Sequence, residues 1–559
     1  MELCDHIYMH ISVFLHLQKL QNQNNTNLDL KEVENSLLSI VYTMRPTLFK
    51  SLAKAFDMVV YNGSIVNAGS KIRPPAYIGI KNEKIQCISS QPLEGEKMID
   101  AKGGIITPGG IDPHVHVCQP CSTDTFESAS RSSLCGGTTS MLVFATQDKG
   151  VKSVFPDLDH YMSLAKNKTY CDYGMHMIVT DPTPEFVENE LPVLVKKYGI
   201  TSVKVYMTYK IWSVSDKQIL RVLIASRKLG ITTMIHAEND DVIDFLIEKF
   251  EKIGLTEPFY HSASRPSLCE DEASYRAISL AKLADQGLLI VHMSTKESME
   301  HVRVAQTKNY PIYSETCPQY MFLNSDYLKP YEGKGGRVLD ETGIRVDTND
   351  SFQGAKYICS PPVRDSADQL EGVWNAVENG TVTIYSSDHS PCQYDDSERG
   401  KKKGLSKDGH MDFAILPNGL PGVETRMPLL YCYGVETGRI SAQRFVEIAC
   451  SNPAKLYGMK DKGSIDVGKD ADLVVWYPKD EMKPFNLTNK DLHHDIDYTP
   501  FEGMKFTNWP RYTILRGNLL WNRDHGGFMH PETPIGQYIK RGKSMMKSTM
   551  HVEPPKYVN

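Results

Sequence analysis

Five side chains able to bind metals, and one lysine in an unusual setting, are spread over most of this chain. His114 and His116 stand two residues apart in an apolar run, so a β-strand would point both imidazoles to one face. A His-x-His pair alone is a weak signal. Imidazole nitrogens and carboxylates suit zinc, which can keep one position open for water. The remaining candidates lie in or after later apolar runs, and they are Lys204, His236, His292 and Asp388.

Each of these residues also has an ordinary structural explanation. His236 or His292 alone would more often be a core histidine, and Asp388 alone could cap the turn that follows it. Metal-binding residue types at the matching ends of strands far apart in the chain are much harder to explain without a shared metal site.

Lys204 lies within the apolar run VKVYM, where a buried ammonium ion is costly. It could pair with an acid or reach solvent. Its neutral amine could instead add carbon dioxide and become a carbamate, an anion whose two oxygens can bridge two metals. Two Zn²⁺ ions facing the carbamate, Asp388 and hydroxide would leave a net charge of about +1, better balanced than a site with ammonium. Charge alone leaves both explanations open.

These residues need a fold that brings distant strand ends together. Eight apolar runs end in polar residues, and stretches with helical spacing, such as DDVIDFLIEKFEKIG and PEFVENELPVLVKKYG, separate several of them. The alternation predicts an α/β fold, a (β/α)8 TIM-like barrel whose chemistry gathers at the carboxyl ends of the strands. The predicted strands are 111–117, 140–148, 175–181, 202–209, 232–239, 288–294, 312–319 and 382–390.

Two β-rich segments flank the barrel. Residues 57–105 and 463–525 alternate apolar and polar residues between turn signals, which predicts a discontinuous β-sandwich domain around a catalytic barrel at 106–462. Residues 1–56 are expected to be a disordered or adventitious extension. Residues 526–559 form a polar tail that sequence alone would call disordered.

Composition argues against several function classes. The net charge of −6 offers no strong positive field for phosphates, so we expect no nucleic-acid binding. Apolar runs are too short for a membrane span, and the twelve cysteines, without an even framework, predict reduced thiols in a cytoplasmic protein.

The CxxC pair Cys118 and Cys121 predicts a structural loop. The basic run 401–403 predicts a solvated loop.

The motifs in these strands resemble those of the dihydropyrimidinase and hydantoinase family of the amidohydrolase superfamily. The similarity extends from about Met58 to Trp521, in family order. It includes GGIDPHVHV, SVKVYMTY, MIHAEN, VHMS, ETCPQY, YICSPPVR, SSDHS and LPNGLPG. The stretches HSASRPS, DYTPFEG and NWPRYTI look most similar to fungal dihydropyrimidinases.

The resemblance implies a binuclear metal site. Two Zn²⁺ ions per subunit would be bridged by N6-carboxylysine at Lys204, and a hydroxide between them would attack the substrate. By the match, one metal would be held by His114, His116 and Asp388, and the other by His236 and His292.

Further residues complete the expected site. Asp388 is placed to take the proton of the attacking water and pass it to the leaving ring nitrogen. Tyr209 follows the fourth predicted strand, and the family gives the matching tyrosine the role of oxyanion donor. Ser360 and Asn418 rest wholly on the resemblance, which implies that their backbone groups hold the substrate's amide edge. His389 should point away from Asp388 and serve in packing or behind the ligands.

The implied function is hydrolysis of a cyclic amide, in which dihydrouracil or dihydrothymine opens to an N-carbamoyl-β-amino acid. A hydantoinase, allantoinase or dihydroorotase is the alternative within the fold, but Cys118 stands where dihydroorotases carry an arginine for the substrate carboxylate. Scaffold relatives that have lost metal ligands are less expected, because every ligand position is filled. Family members are commonly tetramers, so we expect a homotetramer with the tail between subunits.

Three segments depart from the family pattern. They are the loop CQPCSTDTFESAS after His116, the stretch Asn324–Phe352 and the polar stretch Gln393–Phe413. We expect them to influence which ring substituents are accepted, and to leave the chemistry unchanged.

Overall fold

The computed structural model describes residues 56–119, 122–330, 336–338, 343–347, 349–546 and 556. Most of the predicted N-terminal extension, Cys121 and nearly all of the chain after residue 546 lie outside the described residues. Within these ranges, no helix is long and apolar enough to cross a bilayer, and no disulfide joins the cysteines.

Eight parallel strands form the central sheet, and each overlaps one of the eight runs predicted from the sequence. Strands pair in chain order, and a parallel bridge between Val115 and His389 links the end of the eighth segment to the first. The predicted α/β barrel is therefore confirmed. Its strands are Gly110–Val115, Thr138–Thr146, Asp172–Ile178, Ser202–Tyr206, Thr232–His236, Leu288–Ile290, Ile312–Thr316 and Ile384–Tyr385.

The barrel strands are apolar on both faces because both faces are covered. In Thr138–Thr146, Leu142 and Phe144 belong to the cluster inside the barrel, where they join residues of the other strands such as Ile178 and Met234. The alternate residues of the same strand point outward into the main core under the helices. A period of two between two buried faces gives the near-continuous apolar runs of a parallel sheet.

Helices cover the outside of the barrel. Asn239 caps Asp240–Lys252 by accepting a hydrogen bond from the Val242 backbone, and Phe186–Tyr198 is one helical run, so both quoted helical stretches are confirmed. The α-helices are Phe126–Cys135, Phe155–Ala165, Leu191–Val193, Asp216–Leu229, Asp240–Lys252, Phe259–Ala263, Ser267–Ala284, Lys296–Thr307, Gln319–Phe322, Ala367–Glu378, Arg426–Leu430, Ala442–Val446 and Asn452–Leu456. The π-helical turns are Phe186–Glu190, Leu194–Tyr198, Tyr431–Val435 and Glu447–Ser451. The 3-10 turns are Ser325–Leu328, Gln353–Tyr357, Lys401–Gly404, Phe413–Ile415 and Asn489–Asp491.

Strands from both ends of the chain share one nine-stranded sheet. Leu473–Trp476 pairs antiparallel with Ile105–Pro108 and so joins the two segments, as expected for a discontinuous β-rich unit. Its exact boundaries stay a prediction. The other strands of this sheet are Phe56–Ile65, Arg73–Lys81, Lys84–Ser89, Gly95–Asp100, Pro510–Leu515, Asn518–Asn522 and Gly527–Phe528. Two short ribbons pair Gly336–Val338 with Arg345–Asp347 and Phe485–Asn486 with Lys505–Phe506.

Lys462 connects the nine-stranded sheet to the amino end of the barrel. Its ammonium lies 2.6 Å from Asp172 at the start of the third barrel strand, 2.7 Å from Asp472 and 3.0 Å from Asp470. Burial opposes the charge, but the three carboxylates outweigh it and raise the pKa of Lys462 above its usual range. Asp172 also binds the guanidinium of Arg516. This buried ion cluster holds the two sheets in one relative position.

We expect Lys462→Met to lower the free energy of unfolding by about 3–5 kcal/mol, because the substitution leaves buried carboxylates without their cation. Urea unfolding followed by tryptophan fluorescence measures this loss. Lys296→Met is the matched control, since its pair with Asp368 is exposed and should contribute little. Equal losses in the two variants would contradict the assigned role.

Candidate active site

The first, fourth and eighth barrel strands bring Lys204 and three predicted metal residues together at the carboxyl end of the barrel. Lys204 Nζ lies 2.8 Å from His114 Nε2, which is itself 3.1 Å from Asp388 Oδ1. His116 Nε2 is 3.6 Å from the same carboxylate oxygen. All four side chains are buried. Residues from strands remote in sequence therefore meet in one pocket.

His236 and His292 complete this group from the fifth and sixth strands. The His292 ring centroid lies 4.4 Å from that of His236 and 5.3 Å from that of His114. One potential ligand atom each from His114, His292 and Asp388 lies within 4.8 Å of the others. His292 Nδ1 is buried and has no hydrogen-bond partner in the described part of the chain. A metal ion would give that nitrogen the partner that buried polar atoms normally have.

Three residues at the strand ends have left-handed backbone conformations. The φ angles of Tyr209, His292 and Asp388 are +65°, +39° and +49°. For residues other than glycine such angles cost about 1–3 kcal/mol each, and they concentrate at functional sites. Each turns the chain sharply as the strand ends, so the side chain enters the pocket.

Burial shifts the charged groups of the pocket toward their neutral forms. It lowers the pKa values of the His114, His116 and His292 imidazoles well below their usual range, and the nearby Lys204 charge adds to the effect. Neutral imidazoles are the form that binds metals. Burial also lowers the pKa of Lys204 and raises that of Asp388. The pocket thus disfavours both an ammonium and a bare carboxylate.

Glu315 lies behind the histidines and was not among the predicted site residues. Its Oε1 lies 2.6 Å from His114 Nδ1 and accepts a hydrogen bond from the backbone of His292 at 3.2 Å. Because a carboxylate accepts the Nδ1 proton, His114 Nε2 keeps its lone pair toward Lys204 and Asp388. Glu315 lies next to last in the seventh strand, Ile312–Thr316, and its place near the carboxyl end of that strand could have suggested a role in the site.

Glu238 holds the ring of His236 as Glu315 holds the ring of His114. Its Oε2 accepts from His236 Nε2 at 2.7 Å and from Arg265 Nη1 at 2.9 Å. Although burial opposes its charge, Arg265 and His236 lower the pKa of Glu238 to about 2. His236 therefore has Nδ1 left for a metal. Glu238 follows His236 by two residues, and in an extended segment this spacing places both side chains on one face, which is a sequence signal for its role.

Tyr209 and Asn418 meet at the edge of the pocket. The Asn418 side-chain amide donates a hydrogen bond to the Tyr209 hydroxyl at 3.0 Å, and Ser360 lies beside the same hydroxyl. Since the tyrosine oxygen accepts this bond, its own proton remains available for another acceptor. A cavity of about 210 Å³ opens here, and its lining includes Tyr209, Asn418, Arg265 and Phe413.

His389 points away from this pocket, as expected. Its Nε2 lies 2.9 Å from Asp124 Oδ2, and its Nδ1 accepts from the backbone of Gly422 at 3.1 Å. The neighbouring Asp388 faces the histidines instead. The pair shows how alternation along one segment separates a site residue from a packing residue.

The sequence profile of the Amidohydrolase family matches residues 105–520. The chain belongs to the amidohydrolase family. It is 38% identical to the D-hydantoinase of Rhizobium radiobacter, over 87% of this chain and 99% of that protein. It is 37% identical to the D-hydantoinase of Geobacillus stearothermophilus, over 87% and 96%. The crystal structure of the dihydropyrimidinase from Brevibacillus agri superimposes with a TM-score of 0.77 at 34% identity, covering 87% of this chain and 99% of that one.

Membership makes this chain a hydrolytic enzyme of a metal-dependent family, and the buried cluster described above provides candidate metal-binding residues. The predicted resemblance to the hydantoinases and dihydropyrimidinases is confirmed. The expected nearer similarity to fungal dihydropyrimidinases stays a prediction.

The interpretation of residues 401–403 as a solvated loop is wrong for Lys401. In this amidohydrolase its side chain is fully buried, and Nζ donates to the carbonyl oxygens of Ile358 at 2.8 Å and Pro417 at 2.6 Å. Lys402 is partly exposed and pairs with Asp395, as a solvated lysine would. Three consecutive lysines look alike in the sequence, so only the folded structure shows that the side chain of Lys401 is buried.

We expect Glu315→Gln to weaken metal retention by this amidohydrolase about 10- to 100-fold, because a neutral amide is a poorer acceptor for the His114 Nδ1 proton. Equilibrium dialysis followed by elemental analysis measures the retained metal. Glu300→Gln serves as the control, since Glu300 is exposed and pairs with Arg303 on a helix. Retention equal to that of the unaltered protein would show that Glu315 does not position the histidines.

Proposed function

We propose that this enzyme opens cyclic ureides, with 5,6-dihydropyrimidines such as dihydrouracil and dihydrothymine as its main substrates and N-carbamoyl-β-amino acids as products. The observation that carries the proposal is the buried contact of Lys204 and Asp388 with His114, at 2.8 Å and 3.1 Å, close to a tyrosine hydroxyl with a proton to donate. Hydantoins contain the same amide within a smaller ring, and relatives named hydantoinases make them the second candidate substrates.

The residues of the pocket fit a pair of zinc ions. Burial lowers the pKa of Lys204 to about 8, which brings the amine closer to its neutral form near pH 7. That amine would add carbon dioxide and release a proton, and the resulting carbamate would supply oxygen ligands for both ions. When bound, two such metals supply hydroxide near neutral pH and polarise the amide carbonyl. One ion would be held by His114, His116 and Asp388, and the other by His236 and His292.

Three side chains carry out the ring opening. Asp388 takes the proton of the attacking water and delivers it to the ring nitrogen as the carbon–nitrogen bond breaks, leaving a carboxylate and a ureido group. Tyr209 donates its proton in a hydrogen bond to the carbonyl oxygen as that atom gains negative charge. Asn418 holds the tyrosine oxygen, and the backbone groups of Ser360 and Asn418 hold the amide edge of the ring.

Related cyclic amidases and a different class of protein are the competing functions. An allantoinase or dihydroorotase would share the fold. Cys118 offers no positive charge for the anionic dihydroorotate, and the tyrosine of SVKVYMTY favours dihydropyrimidines over allantoin. A non-enzymatic scaffold would not need the neutral imidazoles and buried acids described above. A homotetramer and a cytoplasmic location stay predictions, and a monomeric mass by light scattering would contradict the first.

We expect Lys204→Ala to lose metal and dihydrouracil turnover together, because the bridging group is absent. Loss of dihydrouracil followed by absorbance, with metal content measured on the same samples, tests this. Lys296→Ala is the control, since Lys296 is exposed and pairs with Asp368. Equal turnover by Lys204→Ala would remove the carbamate from the proposal. Faster opening of allantoin or dihydroorotate by the unaltered protein would overturn the substrate assignment.

We expect Lys401→Met to raise the KM for dihydrouracil about tenfold, which corresponds to about 1.4 kcal/mol, with a smaller change in kcat. Its hydrogen bonds fix the Ile358 carbonyl, two residues before Ser360, and the Pro417 carbonyl next to Asn418, so their loss should loosen substrate binding and leave the metal residues in place. Lys402→Met, one residue along, is the matched control. An unchanged KM in folded Lys401→Met would contradict this role.

A further inference from the structure

The C-terminal tail lies across the amino end of the barrel, opposite the proposed metal site. Tyr173, near the start of the third strand, donates its backbone N–H to Gln537 at 3.0 Å and accepts from Ile539 at 2.7 Å. The Tyr538 hydroxyl donates to the Tyr198 carbonyl at 2.9 Å. The tail therefore continues the pairing of a barrel strand within the same chain.

Glycines leave the room that the tail occupies. A Cβ on Gly199, which has a φ of +69°, would lie 2.8 Å from the Cα of Lys540. A Cβ on Gly458 would lie 2.1 Å from the carbonyl oxygen of Gly542. Both distances are too short for any other residue without a backbone shift. The barrel is thus shaped to receive residues 540–542.

Arg541 is the tail residue that enters the barrel. It is only 4% exposed, its Nη1 donates to Ser202 Oγ at 2.8 Å, and its Nη2 donates to the Met175 carbonyl. The guanidinium also lies 5.7 Å from the ring centroid of Tyr457. Burial lowers the pKa of Arg541 to about 10, so it still carries its charge at neutral pH. Burying a charged guanidinium this deeply costs stability, and docking of the tail alone does not explain that cost.

A directed row of hydrogen bonds leads from Arg541 toward the metal residues. His176 Nε2 lies 2.9 Å from the carbonyl oxygen of Pro113, and a carbonyl can only accept, so the proton is on Nε2. Burial holds the pKa of His176 well below its usual range, so the ring is neutral and Nδ1 accepts the Ser202 hydroxyl proton. Ser202 is then left to accept from Arg541. Each group donates toward Pro113, which directly precedes His114.

His176 also packs against the floor of the pocket. Its ring stacks on Phe144 with centroids 4.8 Å apart, and Phe144 lies 4.9 Å from the His114 ring and 4.7 Å from the His116 ring. Lys204 Nζ is 4.5 Å from the Phe144 centroid. A change of tautomer or tilt in His176 would therefore move the surface on which the proposed metal residues rest.

We propose that Arg541 is a positioning residue of the metal centre, which acts through Ser202 and His176 to hold the Pro113 carbonyl and the Phe144 ring in place. This rests on the proposed function, because it assumes that the pocket binds metal. Without the guanidinium, the Ser202 hydroxyl loses its fixed donor, and the His176 tautomer and the strand carrying His114 lose their restraint.

Metal loss to an excess of chelator tests this in the full-length, zinc-loaded protein. We expect Arg541→Gln and Ser202→Ala to lose zinc about tenfold faster than the unaltered protein. The double variant should lose zinc no faster than the worse single variant, because both substitutions interrupt the same row. Arg541→Lys, which can reach only one acceptor, should fall between.

Tyr538→Phe is the matched control, since it weakens tail docking without touching Ser202. It should lower the melting temperature and keep zinc as the unaltered protein does. If Arg541→Gln unfolds, Ser202→Ala still carries the test, because it leaves the tail contacts of Arg541 with Met175. If Ser202→Ala and Arg541→Gln lose zinc at the same rate as Tyr538→Phe, the role of Arg541 is overturned while the proposed function stands. Failure of the unaltered protein to bind zinc or another divalent metal would overturn it together with the proposed function.

Discussion

The buried amine of Lys204 is the constraint on which the site depends. It shares a pocket nearly closed to water with Asp388 and Glu315, and burial drives the amine and both acids toward their neutral forms. Burying an amine and two acids together lowers the stability of the fold unless another charged group compensates for their lost hydration. A pair of divalent cations would do so, because it stabilises every anionic form at once. In this proposal, catalysis and the stability of the pocket therefore both depend on bound divalent cations.

That requirement explains why the site needs a barrel. Eight parallel strands bring groups from residue 114 to residue 388 to one rim, and left-handed conformations at Tyr209, His292 and Asp388 turn the last side chains inward. Strained backbone of this kind persists only where the surrounding structure holds it. Glu315 behind His114 and Glu238 behind His236 add a second restraint, because each fixes which ring nitrogen faces the pocket.

The fold and the meeting of the six candidate metal residues could be predicted because they follow local rules. Period-two runs marked the strands, and polar residues at their ends marked the rim. Lys401, Arg265 and Arg541 could not be found in this way, because each acts through partners far away in sequence. Lys401 looked like part of a solvated run and Arg541 like part of a disordered tail, yet both are buried and bind backbone carbonyls. Their roles depend on pairings that local patterns do not contain.

The two ends of the barrel have different roles. At the amino end, Asp172 binds Lys462 and Arg516 and accepts from the backbone of Gln537, so one carboxylate fastens the nine-stranded sheet and the tail to the start of the third strand. His176 lies four residues further along that strand, and Arg541 four residues further along the tail. Docking of the tail therefore fixes the register in which the guanidinium reaches the barrel interior. In this arrangement the amino end supplies rigidity to the carboxyl end, where bound substrate would react.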